Sequence, residues 1–89
     1  MIEKEITILN KAGMHTRPAS AIVRIAAKYT ADFYIAKGGF EVNGKSIIGV
    51  MTLAAEQGSI LILKFEGEDE KELSEEMIKF FEEGFWEAI

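Results

Sequence analysis

One short segment restricts the fold more than any other part of the chain. Residues 59–65 read Ser-Ile-Leu-Ile-Leu-Lys-Phe, a nearly continuous apolar run that is typical of a β-strand in the middle of a sheet. We expect both faces of this strand to be largely covered. A central strand needs a neighbour on each edge and a layer of helices, so the rest of the chain must supply them.

The remaining segments supply these elements. Alternating apolar residues or a glycine turn indicate three further strands, at residues 2–9, 32–37 and 40–43. Helical spacing of apolar residues and capping residues predict three helices: Thr16 to about Tyr29, a short helix with Ser46 as its N-cap, and a last helix capped by Asp69 and stopped at Gly84. The order βαββαβα favours an α/β (α+β) fold, an open-faced sandwich in which three helices cover one face of a four-stranded antiparallel sheet. We expect a single domain over residues 1–89.

Composition excludes several classes of function. The chain has no Cys and a formal net charge of −5, which argues against disulfides, thiolate metal sites and a nucleic-acid interface. The longest apolar stretch, residues 47–55, is too short to span a bilayer. Charged residues near the N-terminus are unlike a secretory signal. We therefore expect a cytoplasmic protein with no metal and no cofactor.

A nucleotide-binding pattern occurs once. Residues 39–46, Gly-Phe-Glu-Val-Asn-Gly-Lys-Ser, match the pattern of a phosphate-binding P-loop. The pattern starts in a predicted hairpin turn, and its middle residues read as a strand. A chain of 89 residues is also short for the sheet and magnesium site that such a loop needs. We therefore reject ATP binding here.

The single His of the chain has the setting of a phosphoryl acceptor. It lies in Gly13-Met-His-Thr-Arg-Pro18, where a turn meets the predicted first helix. The first N–H groups of a helix lack intrahelical acceptors, so those of Thr16 and Arg17 are available to an anion. Arg17 adds a guanidinium that matches phosphate oxygens. A neutral imidazole is a competent nucleophile, so His15 is a candidate carrier of a labile phosphoryl group.

Two further observations bear on this site. Arg17, Arg24 and Lys28 recur along one helix and predict a basic stripe that steers acidic partner proteins. A hydrolytic or ligand-binding role for His15 as general base requires a group that orients the ring, and no Asp or Glu lies near it in sequence. The fold could still supply one.

Two motifs in register resemble the HPr family, the histidine-containing phosphocarrier proteins of the bacterial sugar phosphotransferase system. They are residues 13–19, Gly-Met-His-Thr-Arg-Pro-Ala, and residues 44–51, Gly-Lys-Ser-Ile-Ile-Gly-Val-Met. The resemblance implies a carrier rather than a turnover enzyme: His15 accepts phosphate from enzyme I on Nδ1, Arg17 assists, and enzyme IIA domains receive it. It also implies a monomer and phosphorylation of Ser46 by an ATP-dependent HPr kinase/phosphorylase, with a catabolite-control transcription regulator as a further partner. The alternative is a purely regulatory module that acts through Ser46 and leaves His15 unused.

The short helix after Ser46 is apolar around too much of its circumference for one buried face. We expect Val50 and Leu53 to enter the core. The exposed remainder forms a predicted docking patch for partners, composed of Ile47, Ile48 and Met51. Near the C-terminus, Phe85 and Trp86 either pack on the sheet or lie exposed as a dimer contact, and we favour packing.

Overall fold

The computed structural model describes residues 1–87, two fewer than the predicted domain range. Its elements are β1 (Ile2–Thr7), α1 (Thr16–Ala26), β2 (Asp32–Lys37), β3 (Phe40–Asn43), α2 (Ile47–Thr52), β4 (Ile60–Glu66) and α3 (Glu70–Glu82), followed by a short 3₁₀ turn, Gly84–Trp86. The predicted order βαββαβα is confirmed. Only the element ends differ, chiefly at α1, which ends at Ala26 rather than near Tyr29.

The four strands form one antiparallel sheet in the order β1-β4-β2-β3. β4 is therefore central, as its sequence predicts, and the helices cover one face of the sheet. Phe33 on β2 and Phe65 on β4 are fully buried and stack with their ring centroids 4.9 Å apart. Burial of each ring contributes roughly 1.5–3 kcal/mol, which ties the two central strands to the helical layer.

The expectation that both faces of β4 are covered is wrong. Leu61, Leu63 and Phe65 are fully buried, but Ile60 is 57% exposed. Ile62 and Lys64 on the same face are half-buried, and the Lys64 ammonium group donates to the Glu41 carboxylate on β3 at 2.8 Å. A one-layer helical cover leaves the opposite sheet face in solvent, whatever the hydropathy of the strand.

The expected cap of α3 is also wrong in its chemistry. Asp69 occupies the N-cap position, but its side chain makes no capping hydrogen bond. Its carboxylate instead accepts from the backbone N–H groups of Thr30 and Ala31 at 2.9 and 2.8 Å. These bonds, that from Thr30 most of all, hold the pKa of Asp69 below its usual range. Asp69 therefore fastens the α1–β2 loop to the start of α3.

A second link joins the segment after α1 to α3. The Tyr29 hydroxyl donates to one oxygen of Glu76 at 2.6 Å, and the Lys28 ammonium group donates to the other at 2.6 Å. The hydrogen bond to Glu76, followed by burial, raises the pKa of Tyr29 to about 12. No helix within residues 1–87 has both the length and the apolar character needed to cross a membrane.

Candidate functional site

The loop before α1 is fixed by its backbone. Gly13 has a φ of +70°, a left-handed conformation that disfavours other residues, and a Cβ there would come within 2.5 Å of the Ala55 carbonyl oxygen. The Met14 N–H donates to the same carbonyl at 2.9 Å, and the Met14 side chain is buried. The next residue, His15, emerges into solvent with its side chain 42% exposed.

The structure places His15, Thr16 and Arg17 together at the N-terminus of α1, as the sequence predicts. His15 is the N-cap residue, and its carbonyl accepts from the Ala19 N–H at 2.9 Å. Its side chain makes no capping bond, so the N–H groups of Thr16 and Arg17 have no partner within the helix. Arg17 is exposed and makes no ion pair within residues 1–87. The arrangement can bind an anion at this helix end.

The fold supplies the carboxylate that sequence reasoning missed. Glu87 lies 72 positions from His15, yet its two carboxylate oxygens are 3.0 and 3.1 Å from His15 Nε2. One of these oxygens also accepts from the Asn10 amide nitrogen at 2.8 Å, and Asn10 donates to the Gly13 carbonyl at 2.9 Å. Within residues 1–87, His15 Nδ1 has no hydrogen-bond partner. The two ring nitrogens therefore stand in different environments.

The charge of Glu87 is favoured by its neighbours. Its hydrogen bond with His15, and to a smaller extent its bond from Asn10, hold the pKa of the Glu87 carboxyl below its usual range. The positive charge of Arg17 acts in the same direction. Glu87 is thus an ionised acceptor beside the ring at neutral pH.

A strained segment delivers Glu87 to the ring. We name residues 84–87 the C-terminal strap. Gly84, Phe85 and Trp86 all have positive φ angles, of 64°, 57° and 59°. Gly84 ends α3, as predicted, because glycine adopts this conformation readily. For Phe85 and Trp86 it costs roughly 1–2 kcal/mol each.

Aromatic packing offsets this cost. Phe85 is buried, with ring centroids 5.2 Å from Phe80 and 4.8 Å from Phe81. The rings of Trp86 and Phe80 lie nearly perpendicular with centroids 4.8 Å apart, but Trp86 stays 72% exposed. Phe85 is therefore buried as expected, but its ring contacts are with α3 rather than with the sheet, and the expectation of packing is wrong for most of the Trp86 surface.

An open cleft of about 330 Å³ connects His15 to α2 through Met51 and Ala54. Val50 and Leu53 are buried, as predicted. The predicted docking patch is exposed, with exposed fractions of 38% for Ile47, 74% for Ile48 and 43% for Met51. Of the patch, Met51 alone lines the His15 cleft. An apolar surface thus begins at the rim of the site.

The predicted basic stripe is shorter than expected. Arg24 and Lys28 are exposed, but they line a second cleft, of about 380 Å³, between α1 and α3. Lys28 is paired with Glu76, so its charge is neutralised within the domain. Arg17 and Arg24 remain as the positive groups of this helix that can attract an acidic partner.

Ser46 occupies the N-cap of α2 as predicted, and its hydroxyl oxygen accepts from the Gly49 N–H at 3.1 Å. The apparent P-loop is a hairpin turn followed by β3, whose residues Phe40–Asn43 pair with β2. The backbone N–H groups of residues 40–43 therefore do not form a phosphate-binding loop.

Comparison with known proteins agrees with this geometry. The family model described as PTS HPr component phosphorylation site matches residues 2–83. The chain is 43% identical to the HPr-like protein Crh of Halalkalibacterium halodurans over 92% of this chain and 98% of that protein. It is 39% identical to the phosphocarrier protein HPr of Xylella fastidiosa strain Temecula1, covering 96% of each. The crystal structure of HPr-C-His from Thermoanaerobacter tengcongensis superposes with a TM-score of 0.95 at 38% identity and full coverage of both chains. The chain therefore belongs to the HPr family of phosphocarrier components of the phosphotransferase system.

Proposed function

We propose that this protein accepts a phosphoryl group from enzyme I on Nδ1 of His15 and passes it to enzyme IIA domains. The observation that carries the proposal is the asymmetry of the ring. Nε2 is engaged by Glu87, whereas Nδ1 has no partner within residues 1–87, at the N-terminus of α1. The role assigns the protein to the cytoplasm, where we expect it to act as a monomer.

The bonds formed and broken in the proposed transfer can be written without a cofactor. The Nδ1 lone pair forms a bond to the phosphorus of phosphorylated enzyme I, and the bond between that phosphorus and its donor atom breaks, its electron pair returning to the donor. The ring keeps its Nε2 proton and gains positive charge, which the Glu87 carboxylate offsets. In onward transfer, a lone pair of the acceptor group on an enzyme IIA domain forms a bond to the phosphorus. The Nδ1–phosphorus bond breaks, its electron pair returns to Nδ1, and the ring leaves as neutral imidazole.

The free energy with which the site can bind a phosphoryl group is of the size that a carrier needs. A helix end stabilises an anion by roughly 0.3–1 kcal/mol, and a charged hydrogen bond from Arg17 contributes about 1.5–3 kcal/mol. These terms suffice to hold a phosphoryl group. Because each 1.4 kcal/mol or so is a factor of ten in an equilibrium, much stronger binding would hinder release to the next acceptor.

Two observations favour the carrier over hydrolysis by a His15–Glu87 pair. His15 is 42% exposed, and its cleft is open to water, whereas hydrolytic sites gain by excluding bulk solvent. An exposed nucleophile is instead suited to docking against a second protein. The family model also describes a phosphorylation site.

The test is intact-mass analysis after incubation with phosphoenolpyruvate and enzyme I. We expect one acid-labile phosphoryl group on the wild-type protein and none on His15→Ala. As a control, Lys71→Ala alters an exposed residue of α3 and should be phosphorylated normally. Failure of the wild-type protein to accept phosphate, from an enzyme I active on another carrier, would contradict the proposal and favour the regulatory module.

We propose in addition that Ser46 is a site of regulatory phosphorylation by an ATP-dependent HPr kinase/phosphorylase. In support, Ser46 is only half-buried and directly precedes the exposed Ile47 and Ile48. A phosphate there adds a charge of roughly −1.5 to −2 next to the docking patch. The change would weaken docking of enzyme I and create a surface for a catabolite-control transcription regulator.

A further inference from the structure

We propose that Glu87 is a positioning residue for phosphoryl transfer: its carboxylate holds the ring proton of His15 on Nε2 and so leaves the attacking lone pair on Nδ1. This inference rests on the proposed function of His15. The family model ends at residue 83, so Glu87 lies outside the part of the chain that it describes. The assignment comes from contacts of this chain alone.

The contacts fix which partner donates. A carboxylate has no proton to give, so the His15 Nε2 that lies 3.0 Å from Glu87 must be the N–H donor. In a neutral ring this places the lone pair on Nδ1. Glu87 therefore selects the tautomer that the proposed transfer requires.

Asn10 holds the carboxylate in place. It is fully buried, and its amide nitrogen donates to Gly13 and to Glu87. Rotation of the amide by half a turn would direct its carbonyl at two acceptors, so this orientation is required. Within residues 1–87 the side-chain oxygen of Asn10, Oδ1, is buried without a hydrogen-bond partner. The Asn10 amide oxygen is thus left unpaired, while the Asn10 amide nitrogen still donates to Glu87.

The C-terminal strap adds a second constraint. Two consecutive non-glycine residues, Phe85 and Trp86, adopt left-handed conformations immediately before Glu87. Such conformations persist where surrounding contacts enforce them, and they concentrate at functional sites. Here the buried Phe85 anchors the strap. Glu87, two residues further along, then reaches the His15 ring.

The same hydrogen bond serves both directions of transfer. During acceptance, the carboxylate offsets the positive charge that develops on the ring as Nδ1 gains the phosphoryl group. During donation, retention of the Nε2 proton allows the ring to leave as neutral imidazole rather than as the much more basic imidazolate anion. Loss of Glu87 should therefore slow both steps.

The experiment compares the wild-type protein with Glu87→Ala, Glu87→Gln and the matched control Glu82→Ala. Glu82 is exposed at the end of α3, so its replacement removes the same charge nearby. The ring ¹⁵N chemical shifts of His15, recorded at about pH 8, report the tautomer. Rates of phosphorylation by enzyme I report the transfer. Fluorescence of Trp86, the one Trp of the chain, reports whether the strap stays seated on Phe80.

In the wild-type protein we expect the Nε2–H tautomer and an Nε2 proton protected from exchange. Glu87→Ala should yield a mixture of tautomers and a rate about five-fold lower, equal to about 1 kcal/mol. Glu87→Gln retains an acceptor oxygen without the charge, so it should preserve the tautomer and recover part of the rate. Glu82→Ala should match the wild-type protein in every measurement.

Wild-type tautomer and rate in Glu87→Ala would overturn the proposal, as would an equal loss of rate in Glu82→Ala. A slower Glu87→Ala with unchanged tautomer and altered Trp86 emission would also overturn it, because the effect would then be structural. The tautomer is measured without enzyme I. If the wild-type protein accepts no phosphate, the carrier function fails while the role of Glu87 in setting the tautomer is still decided.

Discussion

At the scale of single residues, the site consists of one ring whose two nitrogens have different tasks. Glu87 engages Nε2 of His15, and in the proposed function the helix end and Arg17 bind the incoming phosphate. The residues around the ring could be predicted from sequence, because Gly13, His15 and Arg17 are near one another along the chain. Glu87 could not be predicted, because its contact depends on a strap that closes over a distance of 72 residues.

Arg17→Ala should lower the rate of His15 phosphorylation by roughly 10- to 100-fold, since a charged hydrogen bond contributes about 1.5–3 kcal/mol. Arg17→Lys should recover part of this loss, because an ammonium group retains the charge but not the planar pair of donors. Single-turnover kinetics with phosphorylated enzyme I give the rates. The prediction fails if Arg17→Ala is no slower than Lys71→Ala, which removes an exposed positive charge from α3.

At the scale of elements, the proposed function assigns the chemistry to α1 and the docking of partners to α2. The N-terminus of α1 bears His15, and α2 presents Ile47, Ile48 and Met51 at the edge of the same region. The hydrophobic period of α2 was sufficient to predict which side chains are buried. The sequence pattern of α1 could not show that Lys28 is paired with Glu76, because that ion pair depends on how α3 packs beside α1.

Ser46→Asp should reduce the rate of phosphorylation by enzyme I by about ten-fold at low salt, because a negative charge is placed beside the docking patch. The effect should shrink as ionic strength screens the charge. Ser46→Ala is the uncharged control: it removes the hydroxyl oxygen that caps α2, which costs about 0.5–2 kcal/mol of stability, without adding charge. Equal rates for Ser46→Asp and Ser46→Ala would exclude an electrostatic effect of modification at this position.

At the scale of the whole molecule, hydrogen bonds between segments that are distant in sequence hold the helices and loops in place. Element order followed from sequence because each strand and helix carries its own periodicity. The open face of β4 and the contacts of Asp69 did not follow, because solvent exposure and loop anchoring are decided by packing. Asp69 is the clearest case, since it spans 38 and 39 positions to reach Ala31 and Thr30.

The lowered pKa of Asp69 has a defined effect on stability. A carboxyl whose folded pKa lies below its unfolded value, about 3.9, stabilises the fold above that value, and this stabilisation is lost as pH falls through the folded pKa. We therefore expect the difference in unfolding free energy between wild type and Asp69→Asn to be constant from about pH 7 to 5 and to shrink below about pH 4. Urea unfolding across this range measures it. A difference that grows on acidification would show the opposite linkage.

The central claim is that His15 carries the phosphoryl group on the nitrogen that Glu87 leaves open. The most direct test is NMR of uniformly ¹⁵N-labelled protein phosphorylated by enzyme I, in which coupling between ³¹P and one ring nitrogen identifies the atom that is modified. The account predicts coupling to Nδ1, with Nε2 still protonated. Coupling to Nε2, or phosphate on any residue other than His15, would contradict it.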